Sequence, residues 1–171
     1  RVKAHPIGRG APIESGKVFY GGLYRVIKDR DRFIIDRRPV EAADKEASFW
    51  ISPDTSEIIQ PLHLVMRTQK IPVTIQKERW LLYVDYDRLE FPLQLRKWRR
   101  GDWFIPFGMK GRKKLSDYFI DRKFSLQDKE NVWVLLSGDE IVWIVGERPD
   151  DRFRITDNTT HVFTVTYKNN D

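Results

Sequence analysis

Two consecutive apolar runs, at residues 131–136 and 141–145, constrain the fold more than any other part of the sequence. Between them stands Ser137-Gly138-Asp139-Glu140, which has the composition of a tight turn, so the two runs predict a β-hairpin. Both arms are apolar almost throughout and do not alternate with polar residues. This pattern indicates a strand pair buried on both faces, and therefore a layered structure around it.

Most of the other periodic segments also predict strands. They lie at residues 17–20, 23–27, 32–36, 62–68, 71–76, 79–86 and 161–167. The first three are short and separated by turn-forming residues, which predicts a small antiparallel meander. The last alternates in side-chain character with the period of a half-buried strand.

Helical signals are few. Leu115, Tyr118 and Phe119 recur at the spacing of one helix face, which predicts a short amphipathic helix after residue 114. Ser125 with Asp128 three residues later predicts a second, capped helical turn, and residues 39–45 are compatible with another single turn.

These elements predict an α+β fold that is predominantly β: a small antiparallel β module followed by a layered, β-sandwich-like domain with one or two short helices. We divide the chain into a flexible arm or linker (1–16), a small β-rich module (17–70), a C-terminal domain (71–167) and a frayed tail (168–171). The boundary between the two modules is placed near Ile71.

Positive charge is concentrated in one stretch. Residues 96–123 contain ten Lys and Arg against three acids, a net charge of +7 in a chain whose total is +6. A local positive surface of this kind favours a polyanion as partner. The simpler interpretation is a solvated basic face that binds nothing, because charge runs are common on protein surfaces.

Glycine and cation spacing in this stretch indicates a phosphate site. Gly108 and Gly111 flank Met109 and Lys110 just before the predicted helix, where free backbone N–H groups can accept a phosphate. The predicted phosphate-binding residues are Arg96, Arg99, Arg100, Lys110, Gly111, Arg112, Lys113 and Lys114. The aromatic residues of the same stretch are expected to pack in the core or at a hinge; they are Trp98, Trp103, Phe104 and Phe107.

The order of motifs along the C-terminal half resembles that of a known family. The motifs are Leu95-Arg96, Arg100-Gly101-Asp102, Pro106-Phe107-Gly108-Met109, Gly111-Arg112-Lys113-Lys114-Leu115-Ser116-Asp117, Ile141-Val142-Trp143-Ile144-Val145-Gly146 and Thr160. With this spacing, the segment is similar to the C-terminal domain of bacterial tRNA(Ile)-lysidine synthetases. One position departs from the family pattern, because Trp103 stands where an Arg often follows the Gly-Asp pair.

The resemblance implies a tRNA-binding module of an ATP-dependent ligase that joins lysine to the wobble cytidine in the anticodon of a minor isoleucine tRNA. It also implies a layered β domain like one in the phenylalanyl-tRNA synthetase β chain. The expected partners are that tRNA and an N-terminal catalytic domain, with no membrane or DNA partner, in the cytoplasm. ATP and Mg²⁺ would belong to the catalytic domain, and no cofactor is expected in this fragment.

The family's catalytic Ser-Gly-Gly-x-Asp-Ser loop does not occur in the sequence. The nearest pieces, Ser15-Gly16-Lys17 and Ser137-Gly138-Asp139, lack the second glycine and the Asp-Ser pair. We therefore expect a C-terminal fragment that positions tRNA and does no chemistry. No catalytic or metal-binding residue is assigned, since the chain has no Cys and its three His residues are scattered.

Two other functions remain open. The basic stretch could instead dock an acidic protein or the enzyme's own N-terminal domain. A small hydrolase is the third possibility, because Asp85 and Asp87 would share one face of a strand and a carboxylate pair can do acid–base work. A turn at the end of that strand is the favoured interpretation of the pair.

Overall fold

The computed structural model describes residues 18–21, 24–37 and 47–169. The predicted arm at residues 1–16 and the predicted helical turn at residues 39–45 lie outside this part of the chain. Three N-terminal strands form an antiparallel sheet in the order β1-β2-β3, namely β1 (Val18–Gly21), β2 (Tyr24–Asp29) and β3 (Arg32–Arg37). The predicted meander is confirmed.

Ten more strands and two helices follow. The strands are β4 (Ser48–Ile51), β5 (Glu57–Ile58), β6 (Leu64–Lys70), β7 (Leu81–Asp85), β8 (Leu93–Lys97), β9 (Trp103–Phe104), β10 (Lys113–Lys114), β11 (Trp133–Ser137), β12 (Glu140–Ile144) and β13 (His161–Tyr167). The helices are α1 (Leu115–Asp121) and α2 (Leu126–Glu130). A predominantly β fold with two short helices is therefore confirmed. In the described ranges, no helix is both long and apolar enough to span a membrane.

Two four-stranded antiparallel sheets form the body of the domain. We call them the central sheet, in the order β12-β11-β8-β4, and the outer sheet, in the order β5-β6-β13-β7. One core lies between the sheets and includes Leu93, Leu135, Trp143 and Phe163. Because side chains on a strand alternate between faces, the central sheet presents a second apolar face on its other side.

The second core lies between the central sheet and the helices. Val134 and Ile144 of the sheet pack there with Phe104, Leu115 and Phe119. In both β11 and β12, four of the five residues are buried. The predicted hairpin, buried on both faces, is confirmed, and the second layer over it is the α1–α2 segment. Ser125 and Asp128 form the capping box expected at the start of α2.

The predicted strand at residues 71–76 is wrong. The Ile71 N–H donates to the Thr160 carbonyl at 3.0 Å, and regular structure then ends. Pro72 has no N–H to donate to a neighbouring strand, and residues 72–78 join neither sheet. The chain crosses to β7 as an irregular connection.

The sheets also run across the module boundary placed near Ile71. β4 pairs with β8, while β5 and β6 join β13 and β7. Strands from before and after Ile71 thus share both sheets, because their apolar faces bury one common core. Residues 47–70 therefore belong with the C-terminal domain and not with the N-terminal meander.

Candidate nucleic-acid interface

Arg96 is buried and ion-paired. The sequence did not predict β8, which carries it onto the helix-covered face of the central sheet. Its two terminal nitrogens donate to the two carboxylate oxygens of Asp102 at 2.9 and 3.0 Å, and Nη1 also donates to the Lys97 carbonyl at 3.0 Å. With a side chain only 8% exposed, Arg96 cannot contact a phosphate at the surface. Its assignment as a phosphate ligand is therefore wrong, and its role is structural.

The same carboxylate shapes the turn that follows β8. One oxygen of Asp102 accepts the Arg99 N–H at 2.7 Å, and the Asp102 N–H donates to the Arg99 carbonyl at 3.0 Å. Gly101 completes the turn with a φ of 95°, in the left-handed region that favours glycine. The turn leaves Arg99 and Arg100 exposed, and their side chains have no hydrogen-bonding or ionic partner in the described part of the chain.

The start of α1 differs from the predicted amide cradle. Its first N–H, that of Leu115, donates to the Asp102 carbonyl at 3.0 Å, and Asp117 lies in the first turn. An amide that already has a partner and a nearby carboxylate both disfavour an anion at this point. The cationic side chains around the helix start, and not its backbone, are the groups available to a phosphate.

The loop between β9 and β10, residues 105–112, is held firmly against residues 149–151, and we call it the anchored loop. Backbone N–H groups of Ile105, Phe107 and Gly108 donate to Asp150 Oδ2, the Pro149 carbonyl and Asp151 Oδ1 at 2.8, 2.9 and 2.9 Å. Asp150 is completely buried and accepts two hydrogen bonds from the Arg152 guanidinium at 2.9 and 3.0 Å. These bonds raise the pKa of Arg152 above its ordinary value.

Trp103 lies between this anchored loop and the helix start. β9 pairs with β10 so that Trp103 is opposite Lys114. The Arg112 and Arg152 guanidinium carbons lie 4.0 and 4.8 Å from the centre of the indole ring, which is cation–π distance. At position 103 this chain therefore has an aromatic ring that contacts two arginines.

A shallow groove connects these features, and we call it the basic groove. Its volume is about 630 Å³, and it is lined by Gly101, Trp103, Met109, Gly111, Arg112, Lys113, Lys114 and Asp117. Of the predicted phosphate-binding residues, the structure leaves the cationic side chains of Arg99, Arg100, Lys110, Arg112 and Lys114 exposed at the groove or on the turn and loop that border it. Gly111 is exposed as well. Lys113 is ion-paired to Asp121.

The aromatic residues of the stretch divide into two groups. Trp98 donates its indole N–H to the Lys129 carbonyl at 2.6 Å, and Phe104 is completely buried, so the packing role predicted for them is confirmed. Trp103 is half-buried beneath the guanidinium groups of Arg112 and Arg152. For Phe107 the prediction is wrong, because its side chain is 51% exposed on the anchored loop.

Asp85 and Asp87 do not form an exposed carboxylate pair. β7 ends at Asp85, which is buried and accepts the Asp87 N–H at 3.1 Å and the Thr159 hydroxyl at 3.0 Å. Asp87 lies in the 3-10 turn Tyr86–Arg88, so the two side chains do not share a strand face. The strand-end turn favoured from the sequence is confirmed. Among the described residues, no group of three or more acidic or His side chains could hold a metal ion.

Residues 93–165, which run from β8 into β13 and contain the whole basic groove, match the family model described as the TilS substrate C-terminal domain. This segment belongs to the TilS C-terminal domain family. A crystal structure of a TilS C-terminal domain superposes with a TM-score of 0.63 at 20% identity, covering 73% of this chain and 99% of that one. The two share the same fold.

Similar full-length proteins carry the name tRNA(Ile)-lysidine synthase. The chain is 49% identical to that of Parabacteroides distasonis over 158 residues, which cover 90% of the chain and 35% of the relative. It is 38% identical to that of Bacteroides thetaiotaomicron over 157 residues, which cover 91% and 33%. The chain thus spans about a third of the length of these curated relatives. The likeness to the phenylalanyl-tRNA synthetase β chain stays a prediction.

Proposed function

We propose that this chain is the tRNA-binding part of a tRNA(Ile)-lysidine synthase, and that the basic groove holds tRNA phosphates. The supporting observation is the set of exposed cations on a rigid frame. Arg99, Arg100, Lys110 and Lys114 have no acidic partner in the described ranges, whereas Arg96 and Lys113 are neutralised. Charges left unpaired on an ordered surface are the ones that can displace counterions from RNA.

In this proposal the chain itself makes and breaks no bond. The ligation of lysine to the wobble cytidine of a minor isoleucine tRNA, and the binding of ATP and Mg²⁺, would take place in another domain of the longer enzyme. The chain's own sequence has no Ser-Gly-Gly-x-Asp-Ser loop that could hold a nucleotide. The reaction would occur in the cytoplasm, where tRNA is modified.

Phosphate contacts fix the orientation of a nucleic acid without reading its sequence. We therefore expect the isolated chain to bind many tRNAs with similar affinity. We also expect its role in the longer enzyme to be the positioning of the tRNA body, so that the anticodon reaches a distant reaction centre.

The experiment is equilibrium binding of the chain to unmodified isoleucine tRNA at several salt concentrations. The test variant is Lys110→Glu with Lys114→Glu. The matched control is Lys70→Glu with Lys168→Glu, which changes the charge equally at exposed positions on β6 and just after β13. Each lost phosphate contact should reduce the slope of log affinity against log salt by about 0.7 to 0.9.

The proposal requires the groove variant to lose affinity and salt dependence while the control stays close to the wild type. Equal losses in the two variants would indicate attraction by overall charge alone and would contradict a groove-specific role. If wild-type chain binds an acidic protein but no tRNA at physiological salt, the basic groove is a protein-docking surface and the proposal is wrong.

A further inference from the structure

The tip of the anchored loop exposes two large apolar side chains beside the basic groove. Phe107 is 51% exposed and Met109 is 44% exposed. Within the matched segment, residues 93–165, Ile120 on α1 is the other large hydrophobic residue left exposed. Trp98, Phe104 and Phe119 of the same segment pack into the core, so burial was available to aromatic residues nearby.

Hydrogen bonds of the loop backbone hold Phe107 in its exposed position. Its N–H donates to the Pro149 carbonyl at 2.9 Å, and its carbonyl accepts from Arg148 Nη2 at 2.5 Å. The Met109 N–H donates to the Pro106 carbonyl at 2.8 Å, which closes a tight turn at the tip. The ring is therefore presented on a rigid support, and binding a ligand there requires little ordering of the loop.

The surroundings of the tip are cationic. Lys110 and Arg112 follow Met109 directly and are exposed. The nearby carboxylates are occupied: Asp150 is buried against Arg152, and Asp151 binds Arg154 and the Gly108 N–H. An apolar ring bordered by cations that have no acidic partner in the described ranges suits a ligand with an aromatic face and an attached phosphate, because each group then meets a complementary one.

A nucleotide within an RNA helix cannot use this ring, because its base already stacks on its neighbours. An unpaired nucleotide can. We propose that Phe107, supported by Met109, stacks on an unpaired base next to an RNA helix whose phosphates lie in the basic groove. This inference rests on the proposed function of the groove and adds the class of nucleotide that the loop tip recognises.

The test compares three RNA duplexes, each made of two strands, bound to the chain: one with blunt ends, one with a short single-stranded 3′ extension, and one whose extension lacks bases. Stacking of one base on an aromatic side chain changes affinity by roughly tenfold. We expect the duplex whose extension carries bases to bind about tenfold more tightly than the blunt duplex. The abasic extension should recover little of that gain, since it offers phosphates alone.

Variants test whether the aromatic ring of Phe107 causes the gain in RNA affinity. Phe107→Ala should abolish it while leaving the affinity for the blunt duplex, which has no unpaired base, unchanged, and Phe107→Trp should retain it. Ile120→Ala, which removes an apolar side chain on α1 that is more exposed than Phe107, should have no effect on any of the three RNAs. Thermal melting of each variant checks the fold, which the exposed position of Phe107 should leave intact.

Failure of the stacking site and failure of the groove proposal give different results. If all three duplexes bind with one affinity, or if Phe107→Ala keeps the gain, the stacking site is wrong and the groove proposal stands. If none of the RNAs binds, the groove proposal fails and the stacking site fails with it.

Discussion

Arg96 and Asp102 form a bidentate ion pair that links the end of β8 to the turn before β9. Both side chains are largely buried, and Asp102 also accepts the Arg99 N–H. The carboxylate thus neutralises one arginine while it orders the turn that exposes two others, Arg99 and Arg100. This pair separates the structural cations of the basic stretch from those available to a ligand.

Removing Asp102 should destabilise the domain strongly. Asp102→Ala leaves the Arg96 guanidinium buried without its partner, which typically costs about 3 to 5 kcal/mol. Urea denaturation followed by fluorescence measures the free energy of unfolding. Adding Arg96→Met should restore part of the loss, because the unpaired charge is then gone. Asp157→Ala, at an exposed turn, is the control, and a loss no larger than the control would contradict a structural role for the pair.

Two glycines of the loop should respond differently to substitution. Gly108 has a φ of 82°, whereas Gly111 has no such left-handed φ, and a Cβ at either position would meet no atom within 4 Å. Gly108→Ala should therefore cost about 1 to 2 kcal/mol through backbone strain alone. Gly111→Ala should be nearly neutral. Thermal unfolding of both variants decides the matter, and equal stabilities would show that the φ at Gly108 is not required.

Asp117 should weaken anion binding, because it is the acidic residue lining the basic groove. Asp117→Asn removes one negative charge near the bound phosphates. Across roughly 8 Å of water this is worth about 0.5 kcal/mol, or a twofold gain in RNA affinity. The gain should shrink as salt is added. Asp54→Asn, at an exposed turn between β4 and β5, should change nothing, and a similar gain there would indicate a general charge effect.

Tyr118 should make stability fall with pH at the alkaline end. Burial, reinforced by the adjacent Glu147 carboxylate, raises the pKa of Tyr118 to about 12 from 10.0. The folded protein therefore holds this proton over a window in which the unfolded chain has released it. Stability from this group is complete below pH 10 and is lost as the pH rises towards 12.

The measurement is the free energy of unfolding against pH for the wild type and for Tyr118→Phe. The difference between the two curves should be flat below pH 10 and should narrow above it, since phenylalanine has no proton to lose. A difference that stays constant up to pH 12 would contradict the raised pKa. Absorbance titration of tyrosinate provides an independent reading of the same group.

Local patterns in the sequence were sufficient for several elements. The apolar runs around Ser137-Gly138-Asp139-Glu140 predicted the buried hairpin, and Ser125 with Asp128 predicted the start of α2, because both depend on residues a few positions apart. The two-residue strands β9 and β10 were not predicted. Pairs this short have no periodicity of their own and depend on what packs against them.

The amino-acid sequence by itself determined the elements of the layered β fold, the position of the basic stretch and its family resemblance. Only the tertiary structure decided which cations are free and which aromatic residue is exposed. Arg96 and Arg99 are alike in sequence and three residues apart, yet one is buried against Asp102 and the other faces solvent. Phe107 is held outward by residues 149–151, about 40 positions later in the chain. Charge and composition are properties of the chain, whereas burial and pairing depend on contacts between distant segments.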